Sequence, residues 1–222
     1  MKRVRLIGVL GAVSMVALTS LAFGAKLKNG NFEKGNFSGW TTLSSDAAKW
    51  KIYDKQHTVV TPPMKADRLN VGIELPKPIG KYSPFIDMFD QSNGFLSREI
   101  KIPGDAKSLT LKAFWHNAAE RWTQEGTYTN PGPDDQYFSI DLIKPGASPR
   151  TSDEGDVLTN IYAPRKDRGI PEMKVARGNY VNDWKTFKTS VKKYRGEKVV
   201  LRVAEISMSA VNYVGIDNVK VK

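Results

Sequence analysis

Apolar and polar residues alternate along several short stretches of the chain. The pattern runs through residues 108–116, 137–143, 198–206 and 211–221. Because successive side chains of a β-strand point to opposite faces, a period of two predicts half-buried strands. Within residues 97–114, a Pro-Gly-Asp turn separates two such stretches, which predicts two consecutive strands.

Helical periodicity is scarce after residue 25. Many short strands without intervening helices indicate a β-sandwich or barrel. Residues 117–135 and 144–178 are rich in Pro, Gly and Asp, and they are predicted to be long loops. No second apolar core is apparent, so residues 26–222 are predicted to form a single domain.

The N-terminus has the order typical of a secretory signal peptide. Basic residues come first, then an uncharged apolar run, then small residues: Lys2, Arg3 and Arg5, residues 6–21, and Ala22, Gly24 and Ala25. The apolar run is shorter than the roughly 20 residues that a spanning helix needs. We therefore expect residues 1–25 to be cleaved, which gives a secreted or periplasmic protein without a membrane span. An uncleaved N-terminal anchor is the alternative.

The amino-acid composition limits how the protein can be stabilised and which classes of partner it can bind. The 222 residues include no cysteine, so stability must come from packing or from a bound metal. The formal net charge is +11, and removal of the three basic residues of the signal leaves +8. This charge serves solubility, or it attracts an acidic glycan or an anionic cell surface. Nucleic acid is not a predicted partner, because the chain lacks a dense basic stripe.

Motifs for catalysis are missing from the sequence. Without cysteine there is no thiol nucleophile, and two histidines are too few for a typical zinc site. Neither a nucleophile elbow nor a phosphate-binding loop occurs. A glycosidase needs two facing carboxylates; the acids considered for this role, none of them in a recognisable motif, are Glu99, Glu120, Asp141 and Glu205. We predict that the protein is not an enzyme.

Residues 29–40, NGNFEKGNFSGW, combine turn-forming residues with the apolar anchors Phe32 and Trp40. The stretch resembles the N-terminal signature of jelly-roll carbohydrate-binding modules, which belong to the galactose-binding-like β-sandwiches: N-G-x-F-E, a glycine turn, then G-W. Residues 213–222, YVGIDNVKVK, are similar to the terminal strand of that family. Residues 183–206 are similar to its late strands, with W-x-x-F, then Y-x-G, then an alternating stretch. The middle of the chain shows no pattern of the family.

The resemblance implies an all-β fold, a jelly-roll β-sandwich of two antiparallel sheets. It also implies a structural calcium ion where the first strand meets the last, with Glu33 and Asp217 in the positions of the metal-binding acids. Calcium takes six to eight oxygen ligands, so two carboxylates would need backbone carbonyls as well. The alternative is that both acids are ordinary surface charges.

Glycan binding usually combines aromatic rings that stack on sugars with polar groups that pair with hydroxyls. Aromatic residues in loops are better candidates than aromatic residues in strands. Alternation within residues 108–116 places His116 on the face opposite Leu109. If that face is the concave one, the same alternation places Tyr137, Asp141 and Arg202 on it as well. The predicted ligand-binding residues are Trp122, Tyr128, His116, Tyr137, Asp141 and Arg202.

These observations predict an exported, non-catalytic protein that recognises glycans on a jelly-roll sheet or its rim. The partner would be a polysaccharide or a cell-surface glycan, including acidic ones. One alternative is a structural or adhesive surface protein that has the same fold without a sugar site. A polysaccharide lyase or hydrolase is the other.

Overall fold

The computed structural model describes residues 27–60, 72–88, 91–117, 127, 129–133, 135–163, 183–208 and 211–222. These residues form twelve β-strands and a short 3-10 helix, Lys192–Tyr194. The strands are β1 Thr41–Ser44, β2 Ala48–Asp54, β3 Val59–Val60, β4 Ile73–Glu74, β5 Tyr82–Met88, β6 Ser92–Lys101, β7 Ser108–Asn117, β8 Gln136–Ile143, β9 Val157–Tyr162, β10 Lys185–Ser190, β11 Lys198–Ser207 and β12 Asn212–Val221.

Ten of the strands form two antiparallel sheets of five. The first sheet has the order β1-β6-β11-β8-β9, and the second has the order β10-β7-β12-β5-β2. Strands β3 and β4 pair separately as a small ribbon. The two large sheets confirm the predicted all-β fold, a jelly-roll β-sandwich of two antiparallel sheets.

The main core lies between the two sheets, where the apolar residues of the alternating stretches meet. Leu109, Leu111 and Trp115 of β7 face Phe138 and Leu201 of the first sheet in one buried cluster. Full burial of one such side chain contributes roughly 1.5–3 kcal/mol. The predicted strands in β7, β8, β11 and β12 are therefore confirmed, together with the inward orientation of Trp115.

A second apolar cluster covers part of the outer face of the second sheet. Phe85 and Phe114 lie there with Tyr213, beneath Ile73 and Leu75 from the segment of β4. These side chains are buried even though alternation directs them away from the main core. Half of the second sheet is thus buried on both faces.

The opening stretch lies against the last part of β12, the central strand of the second sheet. The N–H group of Val219 donates to the carbonyl oxygen of Gly30 at 2.8 Å. Trp40 stacks on Phe32 at 4.9 Å, and its indole N–H donates to the carbonyl oxygen of Asn29. Phe32 and Trp40 anchor the opening stretch as predicted, but the stretch meets β12 through turns and not as a first strand, since β1 pairs with β6 in the other sheet.

Residues 144–178 and residues 1–25 each carry a prediction made from the sequence. The segment 144–178 was predicted to be a loop, but it contains β9, Val157–Tyr162, whose pairing with β8 is interrupted by two register shifts. Residues 1–25 lie outside the described residues, so the signal peptide stays a prediction. Within the described part of the chain, no helix has the length and apolarity to cross a bilayer.

Candidate functional site

Asp217 lies in a β-bulge near the end of β12. The register of β12 against β7 shifts between Asp217 and Lys220, and Asn218 has a positive φ of 55°. The carboxylate of Asp217 is fully buried and accepts hydrogen bonds from the Ser83 hydroxyl and the Asn218 N–H group. Burial raises the pKa of Asp217 to about 7, and the nearby charge of Glu33 acts in the same direction.

Glu33 lies in the opening stretch and is exposed. Both of its carboxylate oxygens accept from the Lys81 N–H group, at 3.0 and 3.1 Å. Gly80 precedes this contact with a φ of +92°, and a β-carbon at Gly80 would collide with the Glu33 carboxylate. The turn before β5 therefore requires glycine at this position and fixes Glu33 beside the bulge.

The negative charges of Glu33 and Asp217 would favour the binding of a cation between them. A buried carboxylate whose pKa is raised by burial and by a second carboxylate becomes easier to ionise when a positive ion binds nearby. Among the described residues, no group of three or more His, Cys, Asp or Glu side chains could hold a metal ion. With calcium bound, Glu33 and Asp217 would supply charge, and backbone carbonyls would have to complete the ligand set.

An open cleft of about 520 Å³ adjoins Glu33. Its walls come from three turns, and they are Glu33, Asp54, Lys55, Gln56, Gly80 and Lys81. Asp54 accepts from the Gln56 N–H group at 2.9 Å and pairs with His57 Nδ1 at 2.8 Å. The hydrogen bond with His57 is the largest of the effects that hold the pKa of Asp54 below its ordinary value. The cleft thus presents carboxylates held by backbone N–H groups, together with two lysines, Lys55 and Lys81.

The cleft was not predicted from the sequence. Asp54 is the last residue of β2 and Gln56 lies in the turn that follows, and that part of the chain shows no family pattern. The one available signal was Glu33, which was chosen as a metal ligand. The volume of the cleft lies within the range of small-ligand sites, about 300–1,000 Å³.

Arg202 and Asp141 form a buried ion pair on the outer face of the first sheet. Each is 1% exposed, and Arg202 Nη2 lies 2.7 Å from Asp141 Oδ2. Arg202 also donates to the carbonyl oxygens of Pro149 and Thr151, whereas Asp141 accepts from Asn160 at 2.7 Å. This network ties the segment after β8 to the sheet.

The remaining predicted ligand residues do not come together. His116 lies on β7 of the second sheet, whereas Tyr137, Asp141 and Arg202 lie on β8 and β11 of the first sheet. The grouping of His116 with these three residues on one face is wrong, because parity gives the face of a strand but not the sheet to which it belongs. His116 and Tyr137 are both buried. Trp122 and Tyr128 lie outside the described residues.

Glu205 on β11, one of the acids considered for a glycosidase pair, is a buried polar group. It follows Leu201 and Val203 with the same parity and is 0% exposed. Neither of its carboxylate oxygens has a hydrogen-bond partner within the described part of the chain. Burial, followed by the charge of Asp87, raises the pKa of Glu205 well above its ordinary value.

Comparisons with known proteins complete the description. No family model matches the chain, and no curated protein matches it. Among solved structures, the chain is similar to TmCBM61, a carbohydrate-binding module in complex with β-1,4-galactotriose. The identity is 14%, the TM-score is 0.47, and the match covers 89% of this chain and 97% of that one.

Two other similar structures have different descriptions. The K3 cleaved adhesin domain of Lys-gingipain from Porphyromonas gingivalis W83 is 13% identical, with a TM-score of 0.47 and coverage of 89% and 99%. The enzymatically active domain of tailspike protein 4 from bacteriophage CBA120 is 12% identical, with a TM-score of 0.46 and coverage of 88% and 21%. Carbohydrate-binding modules, which the terminal motifs resemble, are thus among the structures similar to this chain.

Proposed function

We propose that the protein is an exported, non-catalytic glycan-binding protein and that the cleft beside Glu33 is a sugar site. The cleft carries this proposal, because it is open, has the volume of a small-ligand site and is lined by two carboxylates, Glu33 and Asp54, that accept from backbone N–H groups. The basic and apolar order of residues 1–25 supports export.

The lining of the cleft suits the hydroxyl groups of a sugar. The carboxylate of Asp54 can accept from neighbouring hydroxyls of one ring, while Gln56 and Lys81 can donate. Asp54 is positioned in advance by its bonds to Gln56 and His57. A site whose groups are fixed before binding loses less conformational entropy when the ligand arrives.

We also propose that calcium acts as a structural ion at Glu33 and Asp217. An ion there would link the opening stretch to β12, and it would hold one wall of the cleft. Calcium would supply positive charge to two carboxylates, and no reaction step is assigned to it.

Binding can be measured by calorimetry of the purified protein against neutral oligosaccharides chosen from a broad glycan array. We expect Asp54→Ala to weaken binding at least tenfold, because it removes an acceptor and releases Gln56 and His57. Asp46→Ala is the matched control, since Asp46 is an aspartate in the turn just before β2, whereas Asp54 is the last residue of the same strand. The control should bind as the unchanged protein does.

Other results would redirect the proposal. If Trp122→Ala or Tyr128→Ala abolishes binding and Asp54→Ala has no effect, the sugar site lies in the β7–β8 loop. If the array shows no ligand, neutral or acidic, glycan binding is wrong. If mass spectrometry detects shortened or unsaturated products after incubation with a bound glycan, the protein is an enzyme.

A further inference from the structure

The outer face of the second sheet is apolar in one part and polar in another. Near Phe114 it is apolar and covered, whereas toward the beginning of β7 it is polar and open. Five residues of β10, β7 and β12 form this open part, which we name the lysine–threonine face: Thr110, Lys112, Thr186, Lys188 and Lys220. They are exposed or half-buried.

Strand register fixes the arrangement of these residues. Lys188 of β10 pairs with Thr110 of β7, and Thr110 pairs on its other side with Lys220 of β12. Thr186 pairs with Lys112 in the adjacent row. Since neighbouring strands lie about 4.8 Å apart, Lys188 and Lys220 are about 10 Å apart at their backbones, with Lys112 between them and one row away.

The β-bulge creates this pattern. Without the extra residue, Val219 would lie opposite Thr110, and an apolar side chain would face solvent. With the bulge at Asn218, Val219 packs in the main core and Lys220 turns outward. Bulges commonly redirect a side chain in this way.

The three ammonium groups are not neutralised by the protein. Within the described part of the chain, Lys112, Lys188 and Lys220 have no ion pair or side-chain hydrogen bond. The acid in register with Lys112 is Asp217, which is buried and bonded to Ser83 and interacts with Lys112 electrostatically without a direct ion pair. The face therefore presents three ammonium groups with no direct ion pair among the described residues.

We propose that the lysine–threonine face binds a linear acidic polysaccharide. This inference rests on the proposed glycan binding and adds a site that is separate from the cleft. The lysines would pair with carboxylate or sulfate groups, and the threonine hydroxyls would bond to sugar hydroxyls between them. One exposed ion pair contributes little, so useful affinity requires a ligand that repeats its charge and engages several lysines at once.

Two other polyanions fit less well. The five residues include no aromatic ring on which a nucleic acid base could stack. They also include no apolar side chain that could enter a bilayer. A flat surface of ammonium and hydroxyl groups suits an extended sugar chain lying along it.

The test measures binding of polygalacturonate and heparin to the purified protein, with a variant that carries K112Q, K188Q and K220Q. The matched control carries K28Q, K144Q and K192Q, which remove the same charge from exposed lysines outside β7, β10 and β12. We expect the apparent Kd for at least one of the two polymers to rise at least tenfold in the first variant and less than threefold in the control. Unchanged melting temperatures would show that both variants are folded.

Each other outcome overturns the inference. Equal losses in both variants would mean that only net charge attracts the polymers. Undiminished binding in the first variant would place the acidic site elsewhere. Binding of duplex DNA or phosphatidylserine vesicles through this face, without either polysaccharide, would identify a different partner. If the acidic polymers fail this test but neutral glycans still bind and Asp54→Ala weakens that binding, the proposed glycan binding is supported and only the acidic site is wrong.

Discussion

At the scale of single residues, Glu205 is the least compensated polar group described in the structure. Its carboxyl group is buried without a hydrogen-bond partner in the described residues, and its pKa is raised. When the pKa of an acid is higher in the folded state than in the unfolded state, the free energy of unfolding falls as the pH rises. The fall begins at the pKa of the unfolded state, about 4.3 for Glu. This loss of stability is absent below that pH and grows as the pH rises toward the pKa of Glu205 in the folded state.

We expect Glu205→Gln to raise the melting temperature at pH 7 by at least about 2–4 °C, the shift that 1 kcal/mol produces in a domain of this size. The gain should disappear near pH 4, where the native carboxyl is already protonated. Thermal melts from pH 4 to 8 provide the measurement, with exposed Glu74→Gln as the control. A gain that is the same at every pH would contradict the assignment.

The sequence pattern predicts that Glu205 is buried, but it does not predict that its carboxyl group lacks a hydrogen-bond donor. Alternation in β11 already assigns Glu205 the inward parity of Val203. What no pattern shows is whether a neighbouring strand supplies a donor. The same limit applies to Arg202 and Asp141, which were chosen as ligand residues but pair with each other, because cross-strand partners depend on sheet order.

At the scale of elements, the contact between the opening stretch and β12 depends on a glycine. A β-carbon at Gly30 would lie 2.6 Å from the Val219 carbonyl oxygen. Gly30→Ala should therefore force the two backbones apart and lower the melting temperature by several degrees. Gly104→Ala is the matched control, since nothing lies within 4 Å of its position. Calorimetry of both variants checks this, and equal melting temperatures would show that the contact carries little stability.

Alternation correctly predicted strands in β7, β8, β11 and β12, but β2, which also alternates, was not predicted. Alternation did not predict β5, which is buried along almost its whole length and contains Pro84, or β10, whose exposed lysines and threonines lie at a sheet edge and which only the family resemblance covers. Neither strand has a clear period of two. Strand β9 was missed because its half-buried residues follow a segment dense in turn-forming residues.

At the scale of the whole molecule, calcium should act as a clamp between the first and last segments. A ligand that binds only the folded state adds about 2.7 kcal/mol at one hundred times its Kd. We expect the melting temperature to rise with calcium and fall with a chelator, and Glu33→Gln or Asp217→Asn to remove most of that response. Asp46→Asn should retain it. If a chelator leaves the melting curve unchanged, the two acids bind no stabilising ion.

The order of strands in the two sheets also bears on how the chain is made. The last two strands, β11 and β12, each occupy the centre of a sheet, between β6 and β8 and between β7 and β5. Neither sheet can close until residues 198–221 have been synthesised, and until then the earlier strands have open edges that can pair with other chains. A nascent chain with this topology cannot complete either sheet before these residues are available. For an exported protein, as we propose, this delay would keep the chain in the unfolded form that a translocation channel accepts.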